Sequence, residues 1–160
     1  MTTTVTGGRT YKHFQAVDPV SKFMYANVYS NAKSSTAAAF LKEVIAAFPY
    51  PIKSIQVDGG SEFMADFEKA CADLKIELII LPPRKPEYNG GVERGNRTFR
   101  EEFYDRANFL EDSVRGIQSA LTKAVQKYNT YRPHRNLNGF TPMQYIQNVQ
   151  SETLRLSQTM

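Results

Sequence analysis

The chain of 160 residues contains a single cysteine, Cys71. An internal disulfide is therefore excluded, and the composition suits a reducing cytoplasm. With only two histidines beside that cysteine, the ligand set of a zinc finger is missing. No apolar run approaches the roughly 20 residues that a membrane-spanning helix needs. The segment Thr2 to Arg9 is polar and glycine-bearing, unlike a secretion signal. There is no internal repeat and no low-complexity stretch. Between Met1 and Thr10 there is also no acidic residue, a point that matters below.

What is present fits one soluble domain with one core. Hydrophobic residues make up 41% and charged residues 22%, which is ordinary for a globular protein. The net charge of +4 is weak evidence for nucleic acid by itself. Its distribution says more. Arg84, Lys85, Arg94, Arg97, Arg100, Arg106, Arg132, His134 and Arg135 all fall in the second half, which predicts a basic working surface there.

Tyr11 to Tyr29 reads as a hairpin, two strands around the turn residues Asp18-Pro19-Val20-Ser21. Ser34 or Ser35 is expected to cap a helix with Ala37, Leu41, Val44, Ile45 and Phe48 on its apolar stripe, ended by Pro49 and Pro51. Ile52 to Val57 reads as a short strand running into Asp58-Gly59-Gly60. Ser61 should open a second helix with Phe63, Phe67, Ala70, Cys71 and Leu74 on one side, so Cys71 reads as core packing. Ile76 to Leu81 looks like a buried strand. The proline- and glycine-bearing loop Pro82 to Gly90 follows.

Gly91 to about Ala107 is helical in pattern, with Val92, Phe99 and Phe103 on the apolar side. Val114, Ile117, Leu121, Ala124, Val125 and Tyr128 mark another helix. Thr141-Pro142 starts a last short helix, with Gln144 completing a capping box. The tail after Val149 is polar and expected to fray. This order predicts an α/β arrangement, a mixed sheet flanked by helices.

Two carboxylates stand out by position. Asp58 comes where a strand ends and a Gly-Gly turn begins, and the carboxyl ends of strands are where α/β sheets build sites. The same residue also reads as an Asx-turn former. Glu93 lies in the first turn of its helix, with Asn96, Arg97 and Arg100 on the same face. That stripe reads either as a helix lying along a phosphate backbone or as a solvated face with an i,i+4 ion pair.

Three blocks then resemble one family. Val57-Asp58-Gly59-Gly60-Ser61-Glu62-Phe63 resembles the D-N-G-S-E-F block of the retroviral-type integrase core. Pro86 to Thr98 resembles its P-x-x-N-G-x-V-E-R-x-N-R-T block. Tyr128-Asn129-Thr130-Tyr131-Arg132-Pro133-His134-Arg135-Asn136-Leu137 with Thr141-Pro142 resembles the Y-N-x-x-R-P-H-x-x-L…T-P ending of bacterial insertion-sequence transposases. Thirty-four residues separate Asp58 from Glu93, close to the family's spacing. Gly59 departs from the asparagine common at that place.

The resemblance implies an RNase H-like fold and a D, D, E triad. Such a triad holds two divalent ions, Mg2+ or Mn2+, for cleavage and strand transfer at DNA phosphodiesters. Asp58 would be the second acid and Glu93 the third. Arg97 and Arg100 match phosphate-contacting positions, and Asn89 with Gly90 would form the loop beside the site. Lys85, Asn96, Arg132 and His134 complete the expected DNA-binding set. Element ends and target DNA are the implied partners, the state a homodimer with no membrane association, and the location the cytoplasm of a bacterium at its nucleoid.

The first acid is the difficulty. Asp18 matches a family aspartate that lies in a turn and is not catalytic. It sits about seven residues along the second strand, roughly 20 Å from the active end. The expectation is therefore a catalytic core over residues 1–150, lacking all or part of the first strand, with a polar tail at 151–160. Such a chain should bind metal weakly and transfer strands poorly. A catalytically inactive remnant that binds DNA or dimerises is the alternative, and an RNase H-like nuclease the second.

Overall fold

The computed structural model describes residues 2–6, 9–82, 97, 99–104 and 113–158. Strands β1 (Thr2–Thr6), β2 (Arg9–Val17) and β3 (Met24–Tyr29) form an antiparallel sheet in that order. Strands β4 (Ser54–Val57) and β5 (Glu77–Ile80) form a parallel pair. The α/β class is as expected, with the strands divided between two small sheets.

Of the expectation that all or part of the first strand is lacking, the complete loss does not hold, since a short strand of five residues precedes β2. Thr2–Thr6 pairs with β2 in a register that runs to Thr6↔Arg9, with two residues, Gly7 and Gly8, between that pair in sequence. The segment is polar, but its four threonines and valine are β-branched and favour a pleated strand.

The antiparallel sheet is covered on both faces. Tyr25, Asn27 and Tyr29 of β3 alternate with Met24, Ala26 and Val28. The first set faces α1 (Ser34–Ala47), whose Ala37, Phe40, Leu41 and Val44 are buried with Phe14 of β2. Val57 of β4 and Phe67 and Cys71 of α2 (Asp66–Asp73) join the same core. Cys71 is buried and free, as its pattern predicted, and burial, then Glu68, pushes its thiol pKa up. The second set faces α3 (Val114–Tyr131), which contributes Ile117, Leu121 and Val125.

Several local expectations need correction. Lys33, not Ser34 or Ser35, precedes α1. The carboxamide of Asn31 shapes that entry by accepting from the Lys33 amide at 3.2 Å and the Thr36 hydroxyl at 2.6 Å. Ser61 opens a 3₁₀ turn (Ser61–Phe63), and α2 starts only after Ala65 takes a positive φ of 48°. Leu74 falls beyond the end of α2 and is 42% exposed. β5 is not a buried strand, since Ile79 and Ile80 are 40% and 52% exposed. Its neighbour β4 is its one partner among the described strands.

Thr141 and Gln144 form the expected reciprocal cap, at 2.9 and 3.3 Å. The helix they start, α4, runs from Pro142 to Gln158 rather than fraying after Val149. No glycine or proline follows Pro142, and Ser151 and Thr153 hydroxyls bond back to Gln147 and Val149 carbonyls.

Candidate active site

Helix α1 serves as a ruler between the two ends of the molecule. At its C-terminal end Phe48 packs on Phe23 at 5.1 Å and on Tyr50 at 5.8 Å. The Tyr50 hydroxyl lies 3.0 Å from that of Ser21, in the β2–β3 turn. At its N-terminal end the Ser34 hydroxyl donates to Asp66 at 3.0 Å, and the Ser61–Phe63 turn packs against the helix. Fourteen helical residues span roughly 21 Å. The chain leaves α1 beside the hairpin turn, and β4 carries it back. Asp58 therefore lies at the opposite end of α1 from Asp18.

Asp18 is fully engaged where it is. Its carboxylate accepts from the Ser21 amide at 2.7 Å, from the Val20 amide at 3.3 Å and from the Ser21 hydroxyl. Burial pushes its pKa upward, but the Ser21, Tyr50 and Val20 hydrogen bonds outweigh burial and hold the group below its usual value. It is a turn-forming residue, as its sequence context predicted.

Asp58 is exposed at the carboxyl end of β4. One oxygen accepts from the Gly60 amide at 3.3 Å, so the Asx-turn reading and the strand-end reading describe the same residue. The carboxylate of Glu62 folds back over Gly60, where an added Cβ would lie 2.6 Å from it. Both acids thus border one exposed turn. Among the described residues no group of three metal-ligating side chains is present. Glu93, Asn89, Lys85 and Asn96 lie outside the described residues.

Arg97 is exposed and pairs with Glu101 at 2.8 Å, one helical turn on. The Glu101 hydrogen bond and charge raise its pKa. Phe99 is 4% exposed and packs inward, and Phe103 joins the same core, as the expected stripe requires. Arg100 opens a π-helical turn, Arg100–Tyr104.

Arg132 and His134 are not brought to Asp58. Asn129, three residues before Arg132, accepts from the Met24 amide at 3.0 Å and donates to the Met24 carbonyl at 2.8 Å. Met24 directly follows the hairpin turn, so this segment belongs to the Asp18 end. The Tyr128 ring holds both residues, with the Arg132 guanidinium 5.6 Å from its centre and the His134 ring edge-on at 5.0 Å. Burial, then Arg132 and Lys22, lowers the His134 pKa.

Sequence reasoning missed the buried polar residues. His13 and Asn129 are 1% and 5% exposed. Asn129 stood inside a recognised motif, but nothing in that motif shows that its amide binds the edge of β3.

The alternating arrangement of strands and flanking helices defines an RNase H-like α/β protein. The catalytic core domain of BIV integrase has this fold, with a TM-score of 0.73 at 22% identity over 96% of this chain and 95% of that one. The integrase core domain family matches residues 2–86, and a second integrase core domain family matches residues 74–142. The first match alone exceeds half the chain, and the protein belongs to the integrase core domain family. A putative integrase ORF3 of Spiroplasma virus SpV1-C74 is 24% identical over 156 residues, covering 87% of this chain. The chain spans only 42% of that viral protein. A chain of a simian T-cell lymphotropic virus intasome, solved with PP2A regulatory subunit B56 gamma, matches with a TM-score of 0.71 and 26% identity. That match covers 83% of this chain and 47% of the intasome chain.

Proposed function

We propose that this chain is the core of a metal-dependent DNA-cutting and DNA-joining protein of the insertion-sequence transposase branch, with little strand-transfer activity of its own. Residues 1–150 make up the core and 151–160 a polar tail, of which the residues up to Gln158 form the outer part of α4. The observation that carries the reading is Asp58. It is an exposed carboxylate at the end of a parallel strand, in a family of integrase cores, with Glu93 at the matching place in sequence.

Asp58 suits a hard cation. It is an oxygen donor whose Gly60 hydrogen bond fixes one oxygen of the two. Asp58 and Glu93 would hold Mg2+ or Mn2+, two ions in a complete triad. Bound there, the ions would supply Lewis-acid stabilisation of the charged phosphodiester and of the attacking oxygen. Arg97, exposed on its helix, contacts DNA phosphate, and Arg100, Asn96, Asn89 and Lys85 act beside it. Arg132 and His134 belong to DNA lying about one helix length away, roughly six base steps at about 3.4 Å each. A homodimer acting on element ends and target DNA in the bacterial cytoplasm completes the reading.

A second reading is a DNA-binding member without catalysis. It is favoured by the other acids described before Asp58. Asp18 is bound in the far turn, and Glu43 accepts from Tyr25 at 2.9 Å and Asn27 at 2.7 Å. One experiment separates the two. The chain is incubated with labelled duplex DNA and Mg2+ or Mn2+, alongside Asp58→Asn and Glu93→Gln. Cleavage or joining that both substitutions abolish supports catalysis. DNA retained without any metal-dependent product supports the second reading, and no DNA binding at all sinks both.

A further inference from the structure

His13 has no part in the chemistry above, yet it is one of the most buried polar side chains in the molecule, 1% exposed. It stands on β2, opposite Thr2 of β1 and Val28 of β3. Its Nδ1 lies 2.8 Å from the Tyr104 hydroxyl, ninety-one residues away in sequence. Its ring packs 5.0 Å from Phe99 and meets Tyr104 edge-on at 5.6 Å. Burial pulls its pKa down to about 4, against an upward push from a Gln15 hydrogen bond. The ring is therefore neutral near pH 7 and keeps one donor and one acceptor nitrogen.

Tyr104 closes the π-helical turn Arg100–Tyr104. A π turn bonds i to i+5 and so inserts one residue relative to the α pattern. Here Phe99, Phe103 and Tyr104 all reach the sheet, with Phe99–Phe103 centroids at 6.5 Å and Phe103–Tyr104 at 4.9 Å. Arg97 and Glu101 stay outside. In uninterrupted α-helix, neighbouring residues diverge by about 100° around the axis. Relaxing the wide turn would swing Tyr104 away from His13 or rotate the segment before it.

We propose that His13 is a positioning residue that, through Tyr104, fixes the rotational register of the helical segment bearing Arg97. Held this way, Phe99 stays in the core and Arg97 stays on the outer face. The consequence for DNA rests on the function proposed above. The register itself does not.

Three variants test it. Tyr104→Phe removes one hydroxyl, His13→Leu removes the polar ring, and His13→Asn keeps a polar atom near the Nδ1 position. Amide hydrogen exchange across residues 99–104 is measured together with duplex DNA affinity at several salt concentrations. Tyr104→Phe and His13→Leu should speed exchange in that segment about ten-fold while α3 keeps its protection. DNA affinity should fall about ten-fold, and the slope of log affinity against log salt should drop by about one, the loss of one phosphate contact. His13→Asn should restore most of both. A merely structural role would lower Tm without moving the salt slope. Wild-type exchange and slope in Tyr104→Phe overturn the proposal, and that variant decides the matter if His13→Leu fails to fold. If the wild-type chain does not bind DNA, the proposed function fails, and the exchange result alone decides for or against His13.

Discussion

Among the described strands, β3 and β5 both lie at the edges of their sheets, and they are finished differently. The free edge of β3 is closed by side chains of α3. Asn129 meets the Met24 amide and carbonyl as a neighbouring strand would, and the Gln118 amide donates to the Val28 carbonyl at 2.8 Å. β5 leaves Ile79 and Ile80 exposed, beside a β4 that ends on the exposed Asp58. Buried polar groups are costly unless paired, and an open strand edge invites association. The antiparallel half therefore carries stability, and the parallel half carries exposed groups whose replacement costs the fold little. Substitutions should sort by which half they touch.

Asn129→Leu should have the largest effect. It leaves the Met24 amide and carbonyl buried without their partner, at about 1–3 kcal/mol each, so a loss of about 4 kcal/mol is expected by urea unfolding. A loss under about 1 kcal/mol would mean that water or a neighbouring strand substitutes for the amide, and the contrast between the two edges would collapse.

Acid should act next, through His13. Its folded pKa of about 4 lies below the free value of 6.5, so the folded state binds fewer protons between those values. Stability should therefore decline as pH falls from about 6.5 to about 4, by as much as ~3 kcal/mol. His134, also lowered, adds in the same direction. Asp18, held below the usual aspartate value by its turn hydrogen bonds, contributes stability that is present above that usual value and lost only at still lower pH. Urea midpoints at several pH values should show the first decline in the wild type and a flatter profile in His13→Leu.

Ser113→Ala probes the same half more gently. Ser113 caps α3, its hydroxyl accepting from the Gly116 amide at 3.0 Å. Loss of such a cap costs about 1 kcal/mol. An effect as large as that of Asn129→Leu would show that the whole of α3, rather than its contact with β3, governs the antiparallel half.

The sequence was most readable where periodicity and turn chemistry decide the outcome. The Tyr11–Tyr29 hairpin, the α1 stripe through Leu41 and Val44, the α3 stripe and the Thr141–Gln144 cap all follow from spacing and local hydrogen bonds. Thr2–Thr6 was missed because its polarity hid its β-branched character, and the burial of β5 was overestimated because an apolar run does not reveal how many neighbours a strand will have. His13 and Asn129 were beyond reach for another reason. Their partners, Tyr104 and Met24, are 91 and 105 residues away, and no local pattern encodes such pairs. Asp58 was legible as a strand-end acid, while the separation of Arg132 from it appears only once α1 sets the distance between the two ends.

Asp58→Asn should have the smallest effect on folding. Asparagine keeps an oxygen that can accept from the Gly60 amide, so the turn retains its hydrogen bond. The side chain is exposed, and replacing an exposed group away from the core changes stability by less than about 0.5 kcal/mol. The same substitution removes the negative charge that a divalent ion requires. Mg2+ titration followed by NMR should therefore lose any metal-induced shifts at Val57 to Gly60, while the urea midpoint stays at its wild-type value. If Asp58→Asn instead destabilised the chain as strongly as Asn129→Leu, Asp58 would be a structural turn residue like Asp18, and the division between a supporting half and a reactive half would be lost.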